Sequence, residues 1–324
     1  MMMMDILNDT LEFLLQSTLD ISSNHIVITV VLSFITLILI WTSVKTVQSS
    51  VKDPQETDMT EEPVESDACP YPNCVRCHQR TEILNEALQR LKKFKEENEQ
   101  KPTLLPEVEI QLSKKKYKYL NRLQKPIVFY LPSLRYKDLD EKIEKICKNF
   151  FMPLKDIVEE YENLKKHSNC SFKENTVDSG SWKIYHLIDQ GRETNNAKLC
   201  SKTMKYVKKN HHGTKFMQGT KFTNVAFSCL SPGTVIPQHY GPTNFRIRCQ
   251  LPLKTEIEGT QWIQCGLEKK FYYSSIPIYM DDSFLHSATN IGKDDRVVLL
   301  FDIWHPDLSK INREFLQQIF SCDE

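Results

Sequence analysis

The second half of the chain consists of short apolar runs separated by turn residues, and this pattern restricts the possible folds more than any other feature. The runs are rich in β-branched and aromatic side chains, which favour strands. They predict eight strands, at residues 182–188, 221–230, 234–237, 245–253, 260–265, 271–278, 287–291 and 296–304. A succession of short strands with turns between them is typical of a barrel or a two-sheet jelly roll.

Segments with a helical pattern precede these strands. Apolar residues recur every three or four positions between residues 81 and 98, and again between 142 and 166, where Pro153 divides the pattern into two helices. Residues 126–131 predict one more short strand, which Pro132 ends. Helices followed by a run of strands indicate an α+β domain.

The charge balance of the chain limits its partners. The 324 residues include 42 basic and 42 acidic side chains, so the formal net charge is zero. A nucleic-acid-binding protein usually carries a basic excess, and we therefore expect no nucleic-acid partner. The length leaves room for one large domain with additional segments, or for two small domains.

Residues 26–44 form an apolar run without a charged residue. As a helix this run would be about 28 Å long, which is enough to cross the hydrocarbon core of a bilayer. Trp41, near one end, suits a membrane interface. We expect residues 1–25 to be an N-terminal tail and 26–44 to be a single transmembrane helix that acts as a signal-anchor. A buried helix of a soluble domain is the alternative.

The orientation of this anchor is open at the level of the residues. No Lys or Arg precedes the run, whereas Lys45 and Lys52 follow it, so the positive-inside rule weakly favours a cytoplasmic body. Glycosylation sequons occur at Asn8 and Asn169, one on each side of the run. The sequons therefore do not decide between the two orientations.

Two segments separate the apolar run from the rest of the chain. Residues 45–68 are acidic and poor in apolar side chains, which predicts a flexible linker. Residues 69–100 comprise a cysteine-rich stretch and the first amphipathic helix. Zinc could bind the cluster formed by Cys69, Cys74, Cys77 and His78. A local disulfide or free thiols are the alternatives, and residues 74–78 also match a haem-attachment pattern.

Two histidines, each followed by an arginine, indicate the chemistry of the main domain. His239 precedes Arg248, and His286 precedes Arg296. Imidazole binds iron, zinc and copper. Guanidinium can bind a carboxylate through two parallel hydrogen bonds, a geometry that lysine cannot reproduce. A metal held by the histidines and flanked by the arginines could therefore bind a small dicarboxylate.

The predicted strand 245–253 has two chemically different faces. Because side chains alternate along a strand, one face carries Arg246, Arg248 and Gln250, and the other carries Ile247, Cys249 and Leu251. Taken alone, this pattern also fits a strand with a solvent-facing polar side and a buried apolar side. The two histidine–arginine pairs favour a binding site over that simpler interpretation.

Three motifs resemble the aspartyl/asparaginyl β-hydroxylase family. They are HYGPTNFRIR at 239–248, DDSFLH at 281–286 and DIWHPD at 302–307. The sequence SPGT at 231–234 matches the family's lead-in to the first histidine, and residues 126–132 and 200–203 resemble it more loosely. The resemblance covers about residues 120–310. Together with the apolar run and the cysteine-rich stretch, it is greatest to the membrane-bound members of the family.

This resemblance implies a double-stranded β-helix that uses iron(II), 2-oxoglutarate and O2. His239 and His286 would be the iron ligands. Most related oxygenases have a carboxylate ligand two residues after the first histidine. Gly241 stands there in this chain, as is usual in the resembled family, and leaves coordination positions for water or substrate.

The resemblance also assigns roles to the residues around the metal. Arg296 would bind the remote carboxylate of 2-oxoglutarate, with Ser228 as a hydrogen-bonding helper. Arg248 would bind the carboxylate at the metal, and Gln250 stands where the family usually has a histidine. Arg246 would face the acidic side chain of the substrate, and Asp282 would orient Arg246.

The expected protein is thus a membrane-anchored dioxygenase whose catalytic domain spans residues 101–324. Its fold would be α+β, with N-terminal helices and a double-stranded β-helix core. By resemblance, it would hydroxylate the β-carbon of Asp or Asn in proteins, in cysteine-rich EGF-like modules, and its body would lie in the lumen of the endoplasmic reticulum. Two alternatives remain at this point: a catalytically inactive, membrane-anchored binding protein, and a cupin-like zinc hydrolase.

Overall fold

The computed structural model describes residues 79–98, 102–114, 116–134, 141–143, 153–209, 216–256 and 259–322. These residues all fall within one compact unit. The predicted tail, apolar run and acidic linker lie outside the described residues, and so do Cys69, Cys74, Cys77 and His78. Within the described part of the chain, none of the helices combines the length and the apolar character that a membrane crossing requires.

Helices occur before, between and after the strands of the described residues. They are α1 (Arg80–Glu97), α2 (Leu105–Ser113), α3 (Leu154–Lys166), α4 (Asn195–Leu199), α5 (Ser201–Lys209) and α6 (Lys310–Ile319). The helix predicted at 81–98 is confirmed as α1. Of the two helices predicted between 142 and 166, the second is confirmed as α3, because Pro153 has a fixed φ that suits a helix start. The first falls largely outside the described residues.

The strands form two antiparallel sheets. They are β1 (Lys173–Asn175), β2 (Trp182–Asp189), β3 (Arg192–Glu193), β4 (Val225–Leu230), β5 (Thr234–His239), β6 (Arg246–Lys254), β7 (Gln261–Cys265), β8 (Glu268–Phe271), β9 (Ile278–Met280), β10 (His286–Asn290) and β11 (Arg296–Trp304). The larger sheet has the order β1-β2-β4-β11-β6-β9, with β3 paired to β2, and the smaller sheet has the order β5-β10-β7-β8.

From β4 onwards the chain passes back and forth between the two sheets. β4, β6, β9 and β11 belong to the larger sheet, whereas β5, β7, β8 and β10 belong to the smaller one. This alternation is the topology of a jelly roll, or double-stranded β-helix. The α+β jelly-roll core predicted from the sequence is therefore confirmed.

Two predicted strands are wrong. Residues 271–278 do not form one strand, because β8 ends at Phe271 and β9 begins at Ile278, with a turn between them in which Ser275 has a φ of 70°. Residues 126–131 belong to no named strand. Pro126 has no N–H to donate, and the N–H groups of Ile127, Val128 and Phe129 donate to the carbonyl groups of Gly241 and Pro242 instead of to a strand ladder.

The outward face of the larger sheet is buried beneath helices. Ile247, Cys249 and Leu251 of β6 pack in a single apolar cluster with Tyr161 of α3, Met204 of α5 and the neighbouring strands. Fully burying a side chain of this size contributes about 1.5–3 kcal/mol. The polar face of β6 therefore points towards the smaller sheet, into the interior of the jelly roll, rather than towards solvent.

A second apolar cluster joins the two ends of the described chain. Ile83, Ala87, Leu91 and Phe94 of α1 are buried against a cluster that includes Phe315 of α6. The ring centroids of Phe94 and Phe315 are 4.9 Å apart. The amphipathic pattern of α1 is thus explained by packing on the jelly-roll body.

Candidate metal and carboxylate site

His239 and His286 face each other on neighbouring strands. They are direct partners in the antiparallel ladder between β5 and β10. Side chains of directly opposed residues project on the same face of a sheet, and the ring centroids of these two histidines are 4.1 Å apart. Both imidazoles are therefore close enough to bind one metal ion, and their role as ligands stays a prediction.

The backbone fixes which nitrogen of each ring carries a proton. Nδ1 of His239 lies 2.8 Å from the carbonyl oxygen of Pro237, and Nδ1 of His286 lies 2.8 Å from that of Phe284. A carbonyl can only accept, so Nδ1 is the donor in each ring and Nε2 carries the lone pair. An imidazole oriented in this way by a backbone carbonyl is typical of a metal ligand.

Gly241 lies at the position where related oxygenases place an acidic ligand. Its N–H donates to the carbonyl of Asp282 at 2.6 Å. A Cβ at position 241 would lie 2.5 Å from Cγ of Asp282 and 2.7 Å from its backbone oxygen. Among the described residues, no group of three or more His, Cys, Asp or Glu side chains is arranged for a metal. The site therefore offers two protein ligands in the described part of the chain.

Arg296 is a buried cation surrounded by neutral groups. Its guanidinium donates to Ser228 Oγ at 3.4 Å, to Tyr272 Oη at 3.3 Å and to Gln250 Oε1 at 3.5 Å. The side chain is 2% exposed. Within the described residues, no carboxylate forms a salt bridge with it. Burying a charge without a counterion is costly, so this position is suited to bind an anion.

Two further arginines share two buried carboxylates. Arg248 binds both oxygens of Asp302, through Nε at 3.0 Å and Nη2 at 3.2 Å, and its Nη1 is 3.5 Å from Asp282. Arg246 forms an ion pair with Asp282 and donates to the carbonyl of Phe222 at 2.7 Å. Arg246 and Arg248 are therefore balanced by protein carboxylates, unlike Arg296.

The charges of this cluster determine the state of Asp282. Burial alone would raise the pKa of its carboxyl, but Arg246, Arg248 and His286 together lower that pKa below its ordinary value. Asp282 is consequently a carboxylate at neutral pH. The contact between Asp282 and Arg246 that the sequence predicted is present.

The predicted metal, cosubstrate and substrate residues meet at one cavity. Its volume is about 170 Å³, and it lies between the two sheets. Seven of the eight predicted site residues line it: Ser228, His239, Arg246, Arg248, Gln250, His286 and Arg296. Asp282 stands behind the arginines rather than in the wall. Their functional roles remain predictions, but their convergence is a property of the fold.

Four residues of the site were not recognised in the sequence. Trp182 lines the cavity and donates from Nε1 to Ser228 Oγ at 3.2 Å. Asp302 holds Arg248, Tyr272 contacts Arg296, and His186 lies on the inner face of β2. Asp302 begins one of the three family-like motifs, which was a usable signal. Tyr272 lay within the wrongly predicted strand 271–278, so its orientation could not be derived.

The end of the cavity near β2 has a different chemistry. Asp189 binds Lys173 at 2.6 Å, and His186 Nε2 is 3.7 Å from the same carboxylate. Burial lowers the pKa of His186 to about 4, against the smaller opposing effect of Asp189. His186 is therefore a neutral imidazole at physiological pH.

An irregular segment at residues 123–131, here called the strut, holds the loops that adjoin the two histidines. Ile127 N–H donates to the Gly241 carbonyl at 3.0 Å, and Leu285 N–H donates to the Leu123 carbonyl at 2.8 Å. Gln124 is buried and donates to Asp281 Oδ2 at 2.9 Å and to Ser283 Oγ at 3.0 Å. The strut thus connects the residues just after His239 to those just before His286.

Fold and site together define a class: a jelly-roll protein with two facing histidines and, among the described residues, an adjacent buried arginine without a carboxylate partner. Residues 153–306 match the family model described as Aspartyl/Asparaginyl beta-hydroxylase. This match covers just under half of the chain, and the domain it covers is similar to that family. The strut lies outside the matched residues, although it supports the loops of the site.

Two curated relatives and one solved structure are similar to this chain to different degrees. The chain is 37% identical to human aspartate beta-hydroxylase domain-containing protein 2 over 63% of this chain and 58% of the relative. It is 33% identical to human aspartyl/asparaginyl beta-hydroxylase over 45% of this chain and 19% of the relative. A 2OG-Fe(II) oxygenase family oxidoreductase from Burkholderia pseudomallei aligns with a TM-score of 0.36 and 8% identity over 54% of this chain and 96% of that structure. A structural similarity this low carries no argument about the function of this chain.

The chain spans somewhat more than half the length of the first of these relatives and about a fifth of the second. The activities, substrates and partners of whole relatives are therefore brought to this chain below only as proposals.

Proposed function

We propose that this protein is an iron(II)- and 2-oxoglutarate-dependent dioxygenase that hydroxylates the β-carbon of Asp or Asn residues in protein substrates. One observation carries the proposal. Two imidazoles with ring centroids 4.1 Å apart, each with Nδ1 against a backbone carbonyl, share a cavity with a buried arginine that has neutral partners in the described structure. This combination suits a divalent metal beside a carboxylate.

The donor set fits the proposed cofactor and cosubstrate. His239 and His286 would hold the metal through Nε2, and imidazole is a common ligand of iron(II) in oxygenases. Arg296 would bind the remote carboxylate of 2-oxoglutarate, and Ser228 lies within hydrogen-bonding distance of its guanidinium. When bound, iron(II) couples the oxidative decarboxylation of 2-oxoglutarate to succinate and CO2 with the transfer of one oxygen atom from O2 to a C–H bond.

The protein's own contribution is orientation and electrostatics. Asp302 fixes the plane of the Arg248 guanidinium by two hydrogen bonds, and Arg248 remains part of the cavity wall. We assign Arg248 to the carboxylate that lies nearest the metal. A guanidinium held in one orientation before binding loses little conformational freedom when the anion arrives.

We assign Arg246 to the side chain of the substrate. It lines the cavity, and its ion pair with Asp282 fixes its position. An acidic or amide side chain that enters the cavity would meet a cation, whereas an unpaired basic side chain would be repelled. We extend the proposal to cysteine-rich EGF-like modules as substrates, on the basis of the family.

We also propose that residues 26–44 anchor the protein in the endoplasmic reticulum membrane with the body in the lumen, where cysteine-rich substrates acquire their disulfides. Asn169, in the sequon 169–171, is exposed and could be glycosylated there. Glycosylation of Asn169 and not of Asn8 in cells would support this orientation. The reverse pattern would contradict it.

The central test is succinate formation from 2-oxoglutarate by the full-length chain with iron(II), O2 and peptides that carry Asp or Asn. We expect His286→Ala to abolish the activity, and the exposed His167→Ala to leave it unchanged as a matched control. Equal rates for the wild type and His286→Ala across the peptides would overturn the proposal. Binding of iron and 2-oxoglutarate without turnover would favour an inactive binding protein. Hydrolytic activity with zinc, and no binding of 2-oxoglutarate, would favour a cupin-like hydrolase.

A further inference from the structure

Tyr272 makes three separate contacts with Gln250 and Arg296, two residues of the cavity wall. Its hydroxyl donates to Gln250 Oε1 at 2.6 Å. The same oxygen accepts from Arg296 Nη1 at 3.3 Å. Its ring lies beneath the Arg296 guanidinium, with 4.9 Å between Cζ and the ring centroid. The side chain is 1% exposed, so its position is fixed by these neighbours.

From these contacts we propose that Tyr272 is a positioning residue, which holds the Gln250 amide and the Arg296 guanidinium so that both donate to one carboxylate of the cosubstrate. The proposal rests on the proposed function, because it presupposes that 2-oxoglutarate binds at Arg296.

The hydrogen-bond inventory fixes the orientation of the Gln250 amide. Arginine can only donate, and the tyrosine hydroxyl donates to Gln250 Oε1 while it accepts from Arg296. The guanidinium therefore requires the oxygen of the amide, and the hydroxyl, which can donate, bonds to the same oxygen. The NH2 group must point away from them, and Gln250 lines the cavity. A neutral amide thus presents its donors to the space beside Arg296.

The ring and the hydroxyl of Tyr272 act on Arg296 in different ways. The ring stabilises the cation through a cation–π contact, which is strongest in a desolvated site. The hydroxyl must stay protonated to donate to Gln250. Burial raises the pKa of Tyr272, with a smaller opposing effect of Arg296, so the phenol remains neutral at physiological pH.

This arrangement suggests why glutamine can stand where the family usually has histidine. A histidine contributes a charge only below its pKa, whereas an amide donor is independent of pH. Gln250, oriented by Tyr272, therefore adds a hydrogen-bond donor beside Arg296 without adding a charge. An amide at position 250 thus contributes no protonation step of its own to the binding of 2-oxoglutarate.

The test is the binding of 2-oxoglutarate to the full-length protein loaded with zinc(II), which cannot carry out the oxidation. Calorimetry gives the dissociation constants of zinc and of 2-oxoglutarate separately. Tyr272→Phe keeps the ring and removes the hydroxyl, and we expect it to weaken 2-oxoglutarate binding about tenfold, as for one lost charge-linked hydrogen bond. Zinc binding should not change. Tyr273→Phe, at an exposed neighbour, is the matched control.

A double-mutant cycle separates positioning from general destabilisation. If Tyr272 acts through the amide, Tyr272→Phe should have little further effect in a Gln250→Leu background. The inference would be overturned if Tyr272→Phe bound 2-oxoglutarate with wild-type affinity. It would also be overturned if the effects of the two substitutions on the binding free energy were fully additive. Either result would leave the proposed function intact. Failure of the wild-type, zinc-loaded protein to bind 2-oxoglutarate would overturn both.

Discussion

Gly241 and Asp282 approach each other so closely that position 241 has no space for a side chain. The Gly241 N–H donates to the Asp282 carbonyl at 2.6 Å, and a Cβ would lie 2.5 Å from the Asp282 carboxyl carbon. Asp282 in turn forms an ion pair with Arg246. Packing against Asp282 therefore requires glycine two residues after His239.

We expect Gly241→Ala to destabilise the fold by about 1–3 kcal/mol, the usual cost of overpacking, and to weaken metal binding. Gly241→Asp should not restore a three-ligand site, because the new side chain would collide with Asp282. Chemical denaturation and metal titration would measure both effects. Gly233→Asn is the control, since a Cβ at Gly233 meets no atom within 4 Å and asparagine tolerates its φ of 76°. Tighter metal binding by Gly241→Asp would contradict this account.

Arg296 is expected to reduce the stability of the ligand-free protein. Among the described residues no carboxylate pairs with this buried cation, so replacing it with an apolar side chain removes a desolvation cost. We expect Arg296→Met to raise the free energy of unfolding without ligand by about 1 kcal/mol or more, and to abolish the increase in melting temperature on addition of 2-oxoglutarate. The exposed Arg122→Met should change neither quantity. A strongly destabilised Arg296→Met variant would show that the hydrogen bonds of Arg296 stabilise the fold by more than its desolvation costs.

The strut should influence the metal site through Gln124. Gln124→Leu removes the donors to Asp281 and Ser283, and leaving buried acceptors without a partner costs about 1–3 kcal/mol. Since these residues lie five and three positions before His286, we expect weaker zinc binding as well as lower stability. Gln89→Leu, at an exposed position on α1, should shift stability by less than about 0.5 kcal/mol. Unchanged zinc affinity in Gln124→Leu would show that the strut does not position the histidine.

His186 should make the protein less stable in mild acid. Its pKa is lowered from about 6.5 to about 4 by burial in the folded state, so the unfolded chain binds a proton at a higher pH than the folded one. Stability contributed by neutral His186 is present above about pH 6.5 and is lost as the pH falls towards 4. The full effect is about 3 kcal/mol.

His186→Gln provides the comparison for this effect, because other groups titrate in the same range. Burial raises the pKa of Asp281 to about 7, for example. The difference in unfolding free energy between the wild type and His186→Gln should therefore change by about 3 kcal/mol between pH 7 and pH 4. Equal pH dependence in both proteins would contradict the buried, neutral state of His186.

Much of the site could be predicted because strand periodicity is local. The alternation in β6 separates Arg246, Arg248 and Gln250 from Ile247, Cys249 and Leu251, and the structure keeps these two sets on opposite faces. The short apolar runs predicted most of the strands, and the three family-like motifs indicated the histidines and arginines. All of these signals depend only on neighbouring residues.

Tertiary structure decided what occupies each face and which distant groups meet. Helices bury the apolar face of β6, and the smaller sheet encloses its polar face. The periodicity of the sequence could not show this, because both sets of neighbours come from remote segments. The same holds for Tyr272, which reaches Arg296 from a turn that breaks a predicted strand, and for the strut, whose backbone donors bind loops more than a hundred residues away. Sequence alone determined which groups could do the chemistry. Only the folded chain, by excluding water and fixing hydrogen-bond partners, determined that Arg296 would be buried without a carboxylate beside it in the described structure, and hence suited to bind one.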